Sequence, residues 1–157
     1  MALQLDGIDR AILAALQEDA TLSVAEVADR AGLSPSPCWR RIRRLEEAKV
    51  IQRRVALLDA AMLRVGVTVF VSIRTSRHNA DWAAAFCRHV AAIPEVVEFH
   101  RMSGTVDYLL RVVVPDIAAY DSIYKRIISI GDLLDVSSSF SMERIKYTTA
   151  LPTHYAD

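Results

Sequence analysis

The chain carries four arginines within five positions: Arg40, Arg41, Arg43 and Arg44. A guanidinium group binds phosphate oxygens and guanine edges through paired hydrogen bonds, which an ammonium group cannot match. Cys38, Ile42 and Leu45 recur at helical spacing through the same stretch and predict one buried stripe. The pattern therefore predicts a helix that packs on one side and presents dense positive charge elsewhere.

The start of this predicted helix has its own signals. Ser34 can cap the first amides, Pro35 fits the first helical position, and Pro37 still falls within the first turn, so the helix is predicted over 35–47. We interpret it as a helix that enters a DNA groove. The alternative is a surface helix whose arginines pair with acidic neighbours. Trp39 is expected to pack into the nearby core rather than contact DNA.

The preceding residues favour DNA binding. Asp6 is placed to cap a first helix, and Ser23 with Glu26 forms a capping box for a short second one. Gly32 stands where that helix would end in the left-handed conformation, with Leu33 closing the hydrophobic contact. A short capped helix, a glycine turn and the arginine helix together predict a helix-turn-helix, whose second helix reads the major groove of double-stranded DNA.

Charge is unevenly distributed along a chain of zero formal net charge. Residues 1–37 hold two arginines and six acids, whereas residues 38–58 hold seven basic and two acidic residues. Affinity for a polyanion depends on such a local patch rather than on the sum. The DNA-contacting set expected from this patch comprises Ser36, Pro37, Arg40, Arg41 and Arg44 on the helix, with Arg53 and Arg54 touching flanking phosphates.

Composition excludes several other classes. No apolar run approaches the roughly 20 residues of a membrane span, so a cytoplasmic protein without a membrane partner is expected. Cys38 and Cys87 fit neither a disulfide framework nor a zinc pattern. The four histidines are scattered, and no nucleophile elbow, phosphate loop or dinucleotide fingerprint occurs. We therefore expect no enzyme activity, no catalytic residues, no metal and no cofactor.

The remainder of the chain predicts a second domain. Residues 50–58 have the pattern of a strand, residues 59–64 that of a hinge, and residues 65–157 that of strand, helix, strand, strand, helix, strand, with the last strand at 136–145. This order is the ferredoxin-like βαββαβ arrangement, so the predicted fold class is α+β. Residues 1–58 then form the DNA-binding domain. Apolar residues on both faces of the strands predict a homodimer that covers the second face of the sheet.

At this point the chain resembles the Lrp/AsnC family, the leucine-responsive and asparagine-responsive transcription regulators. The resemblance covers nearly the whole length and rests on four motifs: L-D-G-I-D-R-A-I-L at 5–13, G-L-S-P-S-P-C-W-R-R-I-R-R-L-E at 32–46, M-S-G-T-V-D-Y-L-L-R-V at 102–112 and S-S-F-S-M-E-R-I-K-Y-T-T at 138–149. The wording at 37–39 and 138–143 is closest to a subgroup that regulates amino-acid breakdown and cysteine detoxification. Cysteine or a branched-chain amino acid is accordingly a candidate effector.

The resemblance implies a winged helix-turn-helix followed by a domain for amino-acid sensing and oligomerisation. Family members form dimers that often assemble to octamers, and many bind a free amino acid where dimers meet. The family's pocket, carried over to this sequence, comprises Ser103, Gly104, Thr105, Asp107, Tyr108, Ser137 and Ser139. Physically, Gly104 lets backbone amides approach a carboxylate and Asp107 suits an α-ammonium group. The alternative is an ordinary β-turn in which Asp107 caps local amides and the serines face water.

The function expected from these observations is a sequence-specific DNA-binding regulator that responds to a free amino acid. An effector-independent architectural protein, which compacts DNA through phosphate contacts and bending, is the alternative.

Overall fold

A computed structural model describes residues 4–77 and 79–156 of the chain. The chain divides into two compact units. The first comprises Met1–Leu57 together with Lys146–Asp157, and the second comprises Leu58–Ile145. The sequence-based boundaries, 1–58 and 65–157, placed the carboxy-terminal segment in the second domain, whereas its contacts group it with the first unit.

Three helices build the first unit: α1 (Gly7–Glu18), α2 (Val24–Arg30) and α3 (Pro35–Glu47). A capping box starts α1, in which the Asp6 carboxylate accepts from the Asp9 amide at 2.8 Å and the Asp9 carboxylate accepts from the Asp6 amide. Ser23 and Glu26 form the same reciprocal arrangement at α2, as the sequence indicated. The helices enclose a core that includes Ile12, Ala15, Val27, Ala28, Cys38, Ile42 and Leu45.

The turn between α2 and α3 fixes the direction of the arginine helix. Gly32 has a φ of 67°, in the left-handed region, and the Leu33 amide donates to the carbonyl of Ala28 at 2.8 Å, closing α2 as predicted. Ser34 occupies the N-cap position of α3, but its side chain makes no capping hydrogen bond. Pro37 at the third position has no amide N–H, so one of the two usual donors to a capping side chain is missing.

The strand predicted at 50–58 is absent, and with it the wing expected beside the helix-turn-helix. Lys49 adopts a φ of 60°, and the Val50 amide donates to the Leu45 carbonyl at 3.0 Å, so α3 ends in a tight left-handed turn. The following residues are exposed up to Asp59, apart from a partly buried Ile51, and no strand of the described chain pairs with them. The apolar pattern was present, but a strand also needs a partner ladder. Asp59 then caps a short turn over 60–64.

The carboxy-terminal segment is fastened to α1. The Gln17 side chain accepts from the Leu151 amide at 2.7 Å and donates to the Leu151 carbonyl at 3.1 Å, as a neighbouring strand would. Further along, Arg10 Nη1 donates to the Ala156 carbonyl at 2.8 Å, beyond the short 3-10 helix at Thr153–Tyr155. These contacts make the segment part of the first unit.

The second unit has the predicted α+β order. Its elements are β1 (Val67–Thr75), α4 (Ala80–Ala91), β2 (Val96–Arg101), β3 (Tyr108–Val114), α5 (Ile117–Ile128) and β4 (Leu133–Phe140). The four strands form an antiparallel sheet in the order β2-β3-β1-β4, so the ferredoxin-like arrangement is confirmed. Asn79 and Asp116 cap the two helices, whose apolar sides bury alternate residues of the central strands, such as Val71 and Leu110.

The last strand was predicted at 136–145 and is found at Leu133–Phe140. It starts directly after Gly131 and Asp132, both with positive φ, and pairs with β1 from Leu133 opposite Thr75 to Phe140 opposite Val69. Since β1 begins at Val67, little of it remains to pair beyond that point.

Over the described part of the chain, no helix combines the length and apolar character needed to cross a membrane.

Candidate nucleic-acid interface and effector region

The buried residues of α3 show which side of the helix faces outward. Cys38, Ile42 and Leu45 are all below 5% exposed and point into the first unit. Since successive helical residues rotate by about 100°, Arg40 and Arg43 lie on the opposite side. Both are exposed, as is Ser36 one turn before Arg40, whereas Pro37 is partly buried. A cationic ridge therefore faces away from the core.

The other two arginines of the cluster point toward the start of α1. Arg41 Nη1 lies 2.7 Å from Oδ2 of Asp6 and 2.9 Å from Oδ1 of Asp9. Arg44 Nη2 lies 2.5 Å from Oδ2 of Asp9. The Asp9 side chain is fully buried, while the Arg41 and Arg44 side chains are 27% and 45% exposed. Two acids and two arginines thus form one cluster between α1 and α3, which we call the Asp9 cluster.

The contacts of the Asp9 cluster shift the pKa values of Asp6 and Arg41. The Asp9 amide, followed by the Arg41 guanidinium, lowers the pKa of the Asp6 carboxyl below its usual 3.8. Asp6 and then Asp9 raise the pKa of Arg41. Asp6 and Arg41 therefore each hold the other in its charged form.

The remaining basic residues near α3 differ in their partners. Arg43 approaches Glu46 at 3.5 Å and Glu47 at 3.7 Å, both within its own helix. Arg54, predicted to touch phosphate, pairs with Glu46 at 3.2 Å. Within the described residues, Arg40 and Arg53 are exposed and make no ion pair. Of the predicted contact set, Arg40 and Arg53 are thus the cations most available to a ligand.

Sequence reasoning left two residues of this face out. Arg43 was counted in the cluster but not among the DNA contacts, although helical rotation alone places it beside Arg40. Trp39 was expected to pack inside and is instead 54% exposed, so that prediction is wrong. It lies one turn from Arg43, on the flank of the buried stripe.

The β2–β3 loop holds the first part of the predicted effector set. Ser103, Gly104 and Thr105 are exposed, and Gly104 has a φ of 120°, which favours glycine. Asp107 is engaged locally: its Oδ2 accepts from the Thr75 amide at 2.8 Å, and its amide donates to the Ile73 carbonyl at 2.9 Å. The loop is therefore anchored to the end of β1.

The Tyr108 side chain lies on the helix-covered side of the sheet. Its ring is 4% exposed and contacts Phe86 and Phe99 at centroid distances of 4.9 and 5.5 Å. Burial raises the pKa of the Tyr108 hydroxyl. The ring is thus a core residue, and only the Tyr108 backbone borders the loop.

The second part of the set lies on the open face of the sheet. Ser137 and Ser139 are exposed on β4 and stand opposite Ser72 and Phe70 of β1. The loop anchored at Thr75 and these two serines therefore flank the last half of β1 from its two sides. Phe70 is 40% exposed, so this face is partly apolar.

Each of the two units matches a known protein family. The profile described as AsnC-type helix-turn-helix domain matches residues 5–46, and the profile described as Lrp/AsnC ligand binding domain matches residues 68–151. The DNA-binding transcriptional activator DecR of Escherichia coli is 48% identical over 149 residues, which cover 94% of this chain and 98% of that protein.

Two solved structures are similar over almost the whole chain. An AsnC family transcriptional regulator from Agrobacterium tumefaciens superposes with a TM-score of 0.93 at 61% identity, covering 96% of this chain and 99% of the other. A transcriptional regulator from Neisseria meningitidis, solved as an L-Met complex, superposes with a TM-score of 0.91 at 34% identity, covering 97% and 99%.

Proposed function

The chain belongs to the Lrp/AsnC family of DNA-binding transcription regulators, and on that premise we propose that it binds DNA sequence-specifically and responds to a free amino acid. The observation that carries the proposal is the exposed face of α3, where Arg40 stands without an ionic partner among the described residues, directly after a short capped helix and a left-handed glycine turn. This geometry suits a helix that lies in the major groove.

The contacts to DNA divide into two kinds. Arg40 is the candidate for a base edge, because a guanidinium at the outer face of a groove-bound helix can donate two hydrogen bonds to guanine. Ser36 and Pro37 at the start of α3, together with Arg53 and Arg54 beyond its end, are proposed to touch the backbone and set the position of the helix. Arg54 would exchange its exposed pair with Glu46 for a phosphate.

The effector is proposed to bind beside the second half of β1. The exposed loop around Gly104 offers backbone amides for a carboxylate, Asp107 has one carboxylate oxygen on the Thr75 amide and a second for an ammonium group, and Ser137 and Ser139 supply hydroxyls. The L-Met complex of the Neisseria relative supports an amino acid as the ligand class.

A second copy of the chain is the proposed cover for the open sheet face. Phe70 there is 40% exposed and lies between Ser139 on β4 and Arg111 on β3, while Leu109 and Val113 line the same face. Such an apolar patch on a sheet favours association. We propose a homodimer that assembles further, to an octamer as in the family.

The test is a fluorescence-anisotropy titration of the protein onto the DNA upstream of its own gene and onto a scrambled duplex, at fixed salt, with each of the twenty amino acids in turn. Preference for the natural DNA that shifts with one amino acid supports the proposal and names the ligand. Equal affinity for both duplexes, unmoved by any amino acid, favours an architectural protein instead.

A further inference from the structure

We infer that Asp9 is a positioning residue that withdraws Arg41 and Arg44 from the DNA-contacting face, leaving Arg40 and Arg43 as the arginine pair of α3 that meets DNA. The inference rests on the proposed function and refines it, because four adjacent arginines look equivalent in the sequence. By this inference, Arg41 and Arg44 stabilise the first unit, whereas Arg40 and Arg43 contact DNA.

Asp9 accepts hydrogen bonds from both of the arginines that it withdraws. Its Oδ1 accepts from Arg41 Nη1 at 2.9 Å, and its Oδ2 accepts from Arg44 Nη2 at 2.5 Å and from the Asp6 amide at 3.2 Å. Both oxygens are therefore occupied, and the side chain is fully buried. Asp6 adds a second carboxylate on Arg41 at 2.7 Å.

Burial makes these bonds hard to exchange. A buried carboxylate that loses its cationic partners is left desolvated and uncompensated, which is strongly unfavourable. A phosphate that drew Arg44 or Arg41 away would leave Asp9 in that state. Because two acids balance two arginines, the Asp9 cluster also adds little positive potential for a phosphate to feel.

Arg40 and Arg43 are held much more loosely. Arg40 has no ionic partner among the described residues. The two glutamates near Arg43 are neighbours on its own helix, the partly buried Glu46 at 3.5 Å and the exposed Glu47 at 3.7 Å. Exposed pairs of this kind contribute little and are screened by salt, so a phosphate or base can replace them. Both arginines point away from the buried stripe.

The experiment measures the salt dependence of DNA affinity and the thermal midpoint of four single variants of the full chain: Arg40→Gln, Arg41→Gln, Arg43→Gln and Arg44→Gln. Each phosphate contact contributes about 0.9 to the slope of log affinity against log salt. We expect Arg40→Gln and Arg43→Gln to lower the slope, or to relax base preference, without changing the midpoint. Arg41→Gln and Arg44→Gln should keep the slope and lower the midpoint by several degrees.

A double-mutant cycle tests Asp9 itself. Asp9→Asn removes the charge that holds Arg44, so we expect the slope to steepen by about 0.9 as that guanidinium becomes available to phosphate. Adding Arg44→Gln to Asp9→Asn should return the slope to the parental value. A purely structural role for Asp9 would lower the midpoint but would not steepen the slope.

Two results would overturn the assignment. One is an equal loss of slope in all four arginine variants. The other is an Arg44→Gln protein with an unchanged midpoint and a shallower slope. If Asp9→Asn does not fold, the four arginine variants decide. The proposed function fails separately, if the parental protein does not distinguish its upstream DNA from the scrambled duplex.

Discussion

Asp107 and Thr75 are joined by a hydrogen bond of 2.8 Å from the Thr75 amide to the Asp107 carboxylate, which ties the β2–β3 loop to the end of β1. The same carboxylate is the proposed partner of the effector's ammonium group. One side chain thus carries a structural bond through one oxygen and a proposed ligand contact through the other.

The Asp107→Asn and Asp107→Ala variants separate these two roles. An asparagine keeps an oxygen for the Thr75 amide but loses the charge, so we expect a thermal midpoint close to the parental one and loss of the amino-acid response. Alanine removes both, and should also cost about 1 kcal/mol of stability. Melting curves and effector-dependent anisotropy measure the two effects. An Asp107→Asn protein with a normal response would remove Asp107 from the effector site.

Acid should weaken the first unit through Asp6. Its folded-state pKa is lowered by the Asp9 amide and Arg41, so the stability that it contributes is present above the unfolded value of 3.8 and is lost as the pH falls through the folded value. We expect stability to drop between about pH 5 and pH 2. Asp6→Asn should flatten this drop, as urea titrations at several pH values would show.

The exposed Asp29 of α2 offers the matched control for that experiment, since its side chain makes no ion pair among the described residues. Asp29→Asn should leave the pH profile of unfolding parental. A profile that Asp6→Asn also leaves unchanged would contradict the role given to the Asp6–Arg41 pair.

Trp39 should report on DNA directly. Trp39 and Trp82 are the two tryptophans of the sequence, and Trp82 stacks on Phe86 at 5.0 Å in the second unit. In a Trp82→Phe protein the emission belongs to Trp39, which stands 54% exposed beside Arg43. We expect DNA to shift or quench that emission, and a Trp39→Phe protein to show no such change. Unaltered Trp39 emission on saturation with DNA would place this flank of α3 outside the interface.

The bond pair between Gln17 and Leu151 can be tested by hydrogen exchange. Gln17→Ala removes both hydrogen bonds, so the Leu151 amide should exchange faster. Because both bonds are exposed, the free energy of unfolding of the first unit should fall by only about 1 kcal/mol. Gln17→Glu keeps an acceptor for the Leu151 amide and should retain more of its protection. Equal exchange rates in all three proteins would show that the segment is not held there in solution.

Local signals were the predictable part of this structure. The caps at Asp6 and Ser23 and the left-handed turn at Gly32 depend on residues a few positions apart, and each forms as predicted. The strands and helices of the second unit likewise follow the order predicted for residues 65–157.

Features that depend on distant partners were missed. The run at 50–58 has strand composition but no ladder to join among the described residues, and the helical spacing of Arg41 and Arg44 did not reveal that Asp9, more than thirty positions earlier, would lie beneath them. The proposal that these arginines pair with acidic neighbours was available from the sequence, but not the identity of the acids. The placement of Tyr108 in the effector set is a different case, since the alternation along β3 is a local signal and would have put this side chain on the buried side.

The return of residues 146–157 to α1 means that the first unit is not one continuous stretch of chain. A fragment ending at residue 57 would contain all three helices but leave Gln17 and Arg10 without the carbonyls of Leu151 and Ala156. A DNA-binding domain isolated for spectroscopy should therefore include both segments, with residues 146–157 added as a separate peptide or fused to the first segment through a short linker. For the same reason, a single protease cut at 58–66 would leave the two ends of the chain associated through these contacts.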